Sequence, residues 1–273
     1  MDDGDYVLGT HDEEIARLGV QHAVWRPRAL DAWRRAGLSR GQRVIDFGCG
    51  PGYASLDLAD VVGLRGEVVA LDRSARFLEH LRRAADIRRL RQIRTLEADL
   101  AAEPPLPDAC DAAWCRWIFA FLPRPRETLR SLVRAVRPGG AIVIHEYAQY
   151  ATWRLVPAVA SFDRFVAEVM ASWRAEGGEP DVGVDLVAWL EEAGCRIEAV
   201  EAICDVTGPS DFVWQWPAGF FGGGLARLVE LGRVDNAEAE AMRRHFAAAA
   251  SNPRTRMVTP MVVEIIARRV GGG

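Results

Sequence analysis

The chain has 273 residues, 49% of them apolar and 26% charged, with a formal net charge of −4. That length allows one large domain or a core with a substantial insertion, and the composition is that of an ordinary globular protein. The acidic balance argues against a nucleic-acid partner, which usually meets a basic face, and every basic residue is arginine, which excludes a Schiff-base lysine and a phosphate-loop lysine.

The first thirteen residues are polar, acidic and expected to be loose. They lack the apolar centre of a signal peptide, and no apolar run reaches the length of a membrane span. Ile15, Leu18, Val24, Trp25, Leu30 and Trp33 then recur at three- and four-residue spacing, which predicts helix; Pro27 is expected to split it in two. "RVIDF" (43–47) reads as a strand, "ASLDLADVVG" (54–63) as a helix and "GEVVALDRS" (66–74) as a second strand ending in Asp72. "ARFLEHLRRAADIRRL" (75–90) is helical and "IRTLEADL" (93–100) is a third strand. "CDAAWCRWIFAFL" (110–122) is a fourth strand running into a loop. "PRETLRSLVRAVRPGG" (125–140) is a helix closed by a Pro-Gly-Gly turn, and "AIVIHEY" (141–147) is a fifth strand. Helices are expected at 155–176 and 185–194, a strand at "CRIEAVEAICDV" (195–206), a helix at "NAEAEAMRRHFAAAA" (236–250) and a last strand at "TPMVVEIIARR" (259–269). Short apolar strands alternating with helices predict an α/β fold, a doubly wound and mostly parallel seven-stranded sheet.

The five cysteines, Cys49, Cys110, Cys115, Cys195 and Cys204, include no C-x-x-C pair. They predict reduced thiols in a cytoplasmic protein. No clustered His, Cys or acidic ligands suggest a metal.

The loop Gly48-Cys49-Gly50-Pro51-Gly52 follows the first strand, where a doubly wound sheet binds its ligands. Glycines there permit positive φ and close approach of a ligand to the backbone. The spacing is G-x-G-x-G, not the G-x-G-x-x-G of dinucleotide sites. Asp46 just before the loop would repel a pyrophosphate but suits an ammonium. Asp72, about twenty residues on, is placed to accept from both ribose hydroxyls. A ribose, a cationic amino group and no phosphate describe S-adenosylmethionine.

"VIDFGCGPG" with "VVALDRS" resembles motif I and the following motif of the class I S-adenosylmethionine-dependent methyltransferases, nearest to the small-molecule branch of ubiquinone and menaquinone biosynthesis. The likeness covers roughly residues 42–147 and implies their Rossmann-like fold, with the last two strands completing the sheet. It implies that Gly48, Cys49, Gly50 and Gly52 line the methionine part of the cofactor and that Asp46 orients its amino group. It also implies that Asp72 holds the ribose, Arg73 packs beside the adenine, and Asp99 and Leu100 meet the adenine edge. Cys115 and Arg116 would sit near the methionine portion. The leading helices would close over the cofactor, turning Gln21, His22, Trp25 and Arg28 toward it, although His22 alone reads better as a polar surface residue.

The acceptor is expected at the ends of the fourth and fifth strands. His145 is the candidate base, with Glu146 beside it on the opposite strand face. Tyr147, Tyr150 and Trp153 would line the acceptor pocket. Arg116, a charge in an apolar strand, needs a partner; an acceptor carboxylate is the functional choice and a protein carboxylate the structural one. The "DFVWQWPAGFFGGGLARLVELGR" segment would give a lid with an aromatic wall of Trp214, Trp216, Phe220 and Phe221 beside flexible Gly222, Gly223 and Gly224, or else a contact between two copies of the chain. The expected organisation is an N-terminal cap (1–40), a cofactor core (41–147), a helical acceptor-side segment (148–194), and the last two strands with the inserted lid (195–273, lid about 207–257). The readings of function are a methyltransferase acting on a small-molecule acceptor, an NAD(P)-dependent oxidoreductase, and a non-catalytic S-adenosylmethionine-binding protein.

Overall fold

The computed structural model describes residues 12–102, 104 and 106–271; residues 1–11 of the stretch expected to be loose lie outside them. Helix α1 (Asp12–Arg35) opens on three acidic residues and closes on Arg34 and Arg35, in the sense that suits the helix dipole. Contrary to the expected break, α1 is continuous through Pro27. Trp25 before the proline and Ala29, Ala32 and Trp33 after it are all buried. Docking of one unbroken face outweighs the roughly 3 kcal/mol that an interior proline costs.

The core then alternates as the sequence predicts: β1 (Arg43–Phe47), α2 (Tyr53–Val62), β2 (Glu67–Asp72), α3 (Ala75–Arg88), β3 (Ile93–Glu97), β4 (Cys110–Arg116), α4 (Pro125–Ala135) and β5 (Val136–Gln149). Along β1, Ile45 and Phe47 face one apolar cluster while Val44 faces another against α1 and α2. Period-two alternation of apolar residues on both faces is what a sheet covered on both sides requires. The second half adds β6 (Arg154–Val156), α5 (Ala160–Ala175), α6 (Gly183–Glu192), β7 (Cys195–Ile203), β8 (Val206–Thr207), α7 (Gln215–Glu230), α8 (Asn236–Ser251), β9 (Arg256–Val258) and β10 (Met261–Arg269). The seven-stranded order is β3-β2-β1-β4-β5-β10-β7, with β10 antiparallel to both neighbours. This is the expected α/β, mostly parallel, doubly wound sheet of Rossmann type.

Two local expectations change. The helix foreseen over 155–176 starts only at Ala160, because residues 154–156 pair with β9 in a small sheet β6-β9-β8. Gly222, Gly223 and Gly224, expected to be flexible, lie inside α7, which is held by buried Trp216, Phe221, Leu225 and Leu228. Helix α8 starts on a capping box in which the side chains of Asp235 and Glu238 each accept from the other's backbone N–H. One apolar cluster runs from Val24 of α1 through Ile45 and Phe162 to Trp214 of the inserted segment. Among the described residues no helix is long and apolar enough to cross a membrane.

Candidate active site

A cavity of about 570 Å³ opens over the carboxyl ends of β1, β2 and β4. Strand order reverses between β1 and β4, which is where an open α/β sheet leaves a crevice. The volume suits a small organic ligand.

The floor is the glycine loop. Gly48, Gly50 and Gly52 have φ of 76°, 54° and 88°, values that only glycine adopts without strain. Gly48 and Cys49 donate backbone N–H bonds to the Leu71 carbonyl at 2.9 and 2.8 Å, lashing the loop to β2. Asp72 completes the lashing: Oδ2 accepts from Gly50 N at 2.8 Å and Oδ1 from Ser74 N at 2.9 Å. A Cβ at Gly50 would meet nothing within 4 Å, so the loop backbone is bare toward the cavity. Asp46 is buried beneath it and accepts a 2.5 Å bond from Ser55. Burial pushes its pKa up to about 6, against the Ser55 bond and the Arg116 charge. Burial likewise raises Asp72, against its backbone donors.

Of the residues expected at the cofactor, Asp46, Gly48, Cys49, Gly50, Asp72, Arg73, Asp99 and Leu100 line this cavity. Three do not. Gly52 turns its α-carbon to Leu81 of α3. Cys115 is enclosed between strands. Trp25 lies in the core, its ring 5.2 Å from Trp117 and 4.8 Å from Trp216. Arg28 pairs with Asp205 and also stays outside the lining.

The expected base is misplaced. Strand β5 continues to Gln149, so His145 and Glu146 lie inside the sheet rather than at its end. His145 stands opposite Glu264 of β10 and bonds it at 2.7 Å, with Arg35 of α1 closing the cluster. Fully enclosed, it does not reach the cavity. Glu146 is a structural anchor. One carboxylate oxygen accepts from Ile118 N at 2.9 Å and Phe119 N at 2.7 Å, and the other from Tyr147 N at 2.9 Å. These bonds hold the turn after β4, in which Trp117 has φ 53°, a conformation costly for a bulky side chain.

What that turn presents is the other half of the cavity. Arg116 lines it and packs over Trp117 at 5.0 Å and Trp114 at 5.8 Å. Burial pushes its pKa down to about 10, so it keeps its charge at neutral pH. Nη2 contacts His22 Nδ1 at 3.2 Å, and Nη1 is shielded from water with no partner among the described residues. His22 is buried, not on a polar surface, and reaches Asp57 of α2 through Nε2 at 3.0 Å. Arg26 grips the same carboxylate at 2.7 Å. Spacing on α1 held a signal for this: Leu18, Gln21 and His22 share one helix face and all line the cavity. Tyr53 at the start of α2 and Trp173 on α5 also line it and carried no sequence signal.

Of the expected acceptor residues, Arg116, Tyr147 and Phe220 line the cavity. Tyr150, Trp153, Trp214 and Trp216 do not; they are core side chains, 5% exposed or less. Trp216 still acts on the wall from behind, stacking on Trp117, which stacks on Tyr147. Among the described residues no group of three or more His, Cys, Asp or Glu could hold a metal ion.

Residues 45–144 match a family described as a methyltransferase domain. The demethylmenaquinone methyltransferase of Geobacillus kaustophilus is 24% identical over 194 residues, 71% of this chain and 79% of that one. The trans-aconitate 2-methyltransferase of Methylobacterium nodulans is 29% identical over 172 residues, 62% of this chain and 64% of that one. Geranyl diphosphate C-methyltransferase of Streptomyces coelicolor, solved with Mg2+, geranyl diphosphate and S-adenosyl-L-homocysteine, shares the fold with a TM-score of 0.59 at 14% identity, over 91% of this chain and 80% of that one. The bare glycine loop, two carboxylates and no basic group among the loop residues fit S-adenosylmethionine and not a pyrophosphate. Residues 45–144 carry a methyltransferase domain, and the chain is similar to the class I S-adenosylmethionine-dependent methyltransferases.

Proposed function

We propose that the enzyme methylates a small cytoplasmic metabolite bearing a carboxylate, which Arg116 recognises. The observation that carries this reading is the Arg116 guanidinium: it lines the cavity, spends one nitrogen on His22, and keeps Nη1 unpartnered in a shielded site. A shielded arginine nitrogen without a partner is costly unless an anion completes it, and its planar fork suits a carboxylate. The relative from Methylobacterium nodulans, whose named acceptor is trans-aconitate, supports a carboxylate. All five cysteines are free, which suits a reducing compartment.

In this reading the cofactor supplies an electrophilic methyl group, and the chain supplies position and dryness. Asp46 orients the cofactor's amino group, Asp72 holds its ribose, and Asp99 with Leu100 meets the adenine. Trp117 and Tyr147 form the apolar wall that excludes water from the acceptor. Residues 12–40 of the expected cap cover the site, the 41–147 unit holds the cofactor, and 148–194 with the inserted 207–257 segment frame the acceptor side. A second reading, a flat aromatic or quinone acceptor, draws on the Tyr147–Trp117–Trp216 stack.

Asp72→Ala is expected to weaken S-adenosylhomocysteine binding by about 1–3 kcal/mol, the cost of leaving polar groups unpaired. Unchanged affinity by calorimetry would remove Asp72 from the cofactor site. For the acceptor, matched carboxylates and amides, trans-aconitate among the former, are screened for methylation. Arg116→Gln is expected to raise KM for a carboxylate acceptor roughly ten- to a hundredfold, as a charge-assisted hydrogen bond of about 1.5–3 kcal/mol implies. Amides accepted as well as carboxylates would favour the aromatic reading.

A further inference from the structure

His22 lines the cavity and forms a buried pair with Asp57 behind it, and Arg116 sits on the one imidazole nitrogen that could act. Arginine has only donors, so its Nη2 contact at 3.2 Å makes His22 Nδ1 the acceptor. The proton therefore lies on Nε2, which donates to Asp57 at 3.0 Å. Asp57 is fixed in turn by two bonds from Arg26, at 2.7 and 3.1 Å. The result is a neutral imidazole of defined tautomer, oriented by a carboxylate, with its lone pair aimed at the group that would bind an anion. This is the geometry of a base and its orienting acid.

We propose that His22 is the general base of this enzyme and that Arg116 masks it until a carboxylate draws the guanidinium away from Nδ1. The inference rests on the methyltransferase reading of the same cavity. An acceptor carrying a carboxylate and an O–H, N–H or acidic C–H would lose that proton to Nδ1. The electron pair left on the acceptor atom forms the new bond to the methyl carbon, while the methyl–sulfur pair stays on sulfur. Asp57, ionised beside the imidazolium that results, balances its charge. Two carboxylates could unmask the base: the acceptor's own, or that of the cofactor's methionine portion.

The groups facing His22 are few. Arg26 shares its helix, Asp57 and Tyr53 come from α2, with the Tyr53 ring 6.0 Å away, and Arg116 comes from β4 with Asp46 of β1 behind it. Burial and the Arg116 charge hold the imidazole pKa below its ordinary value although the Asp57 bond works to raise it. Neutralising Arg116 with a carboxylate removes one of the opposing influences.

The test is NMR titration of the full chain carrying 15N-labelled histidine, with calorimetry on the same samples. Three ligand states are compared: 5′-methylthioadenosine, which has no carboxylate; S-adenosylhomocysteine, which has one; and S-adenosylhomocysteine with trans-aconitate. The His22 pKa is expected to rise by about one unit in the state whose carboxylate meets Arg116, with Nδ1 losing its hydrogen-bonded shift. A rise in the second state names the cofactor as source, and a rise only in the third names the acceptor. Arg116→Gln should abolish the difference between states. A His22 pKa that is the same in all three states, with calorimetry showing S-adenosylhomocysteine bound, overturns the mask and leaves the cofactor assignment standing. Failure of trans-aconitate to bind counts against it as the acceptor, and the third state is then made with a carboxylate that calorimetry shows bound, so that the three-state comparison decides the mask.

Discussion

Glu146→Ala is expected to lower the stability of the fold by about 3–6 kcal/mol at pH 5, because it leaves the N–H groups of Ile118, Phe119 and Tyr147 without their acceptor. Glu146 is fully enclosed, so water cannot substitute. The same bonds hold Trp117 at φ 53°, and releasing that turn should let the indole leave the cavity wall. The cost is also pH-dependent. Burial pushes the Glu146 pKa from 4.5 to about 7, against its backbone donors. A folded-state pKa above the unfolded one means that the native state holds more protons. Stability supplied by this carboxyl is full below about 4.5 and falls away as pH rises through about 7. The wild type should therefore lose stability over that range, and the gap between wild type and variant should narrow by pH 8. Urea denaturation at both pH values measures it. A loss under about 1 kcal/mol at pH 5, or a gap that widens at pH 8, would contradict the anchor.

Gly52→Ala is expected to cost about 2–5 kcal/mol of stability, from the left-handed backbone and from overpacking together. Gly52 precedes α2 at φ 88°, and an added Cβ would lie 2.7 Å from both Cβ and Cγ of Leu81. Those atoms sit close to the α3 backbone and cannot swing clear. Gly50→Ala makes the contrast. It shares the positive φ of 54°, but its Cβ would enter open space on the cavity side. Its folding cost should stop at about 1–2 kcal/mol, while its effect on S-adenosylhomocysteine affinity should exceed that of Gly52→Ala in the fraction that folds. Thermal denaturation and calorimetry separate the two. Equal stability losses would mean that Leu81 yields, and the close fit of loop to α3 would not matter.

These contrasts show where sequence reasoning reaches. The strand, loop and helix from Val44 to Ala59 were legible because every determinant is local: an apolar run, three glycines and an acid, followed by helical spacing. Asp72 was legible because parallel strands put the end of β2 beside the end of β1. His145 and Glu146 escape sequence reasoning because the apolar run that marks β5 ends near Tyr147 while the strand continues to Gln149. A signal was present in Glu264, an acid inside the apolar run "VVEII" that needed a buried partner, and His145 is that partner. His22, Asp57 and Arg116 could not be joined from sequence, since tertiary packing brings together residues 35 and 94 positions apart. Composition alone marks the aromatic segment, and its tryptophans are core side chains. Only Phe220 among the four aromatic residues expected in the wall lines the cavity, because a helix turns its neighbours to different faces.

The measurement closest to the centre of this account is a calorimetric titration of S-adenosylmethionine, S-adenosylhomocysteine and NAD into the ligand-free protein. The glycine loop, Asp46 and Asp72 predict that the first two bind and that NAD does not. Binding of NAD alone would mean that the loop accepts a pyrophosphate beside Asp46, and both the cofactor assignment and the chemistry built on it would be wrong.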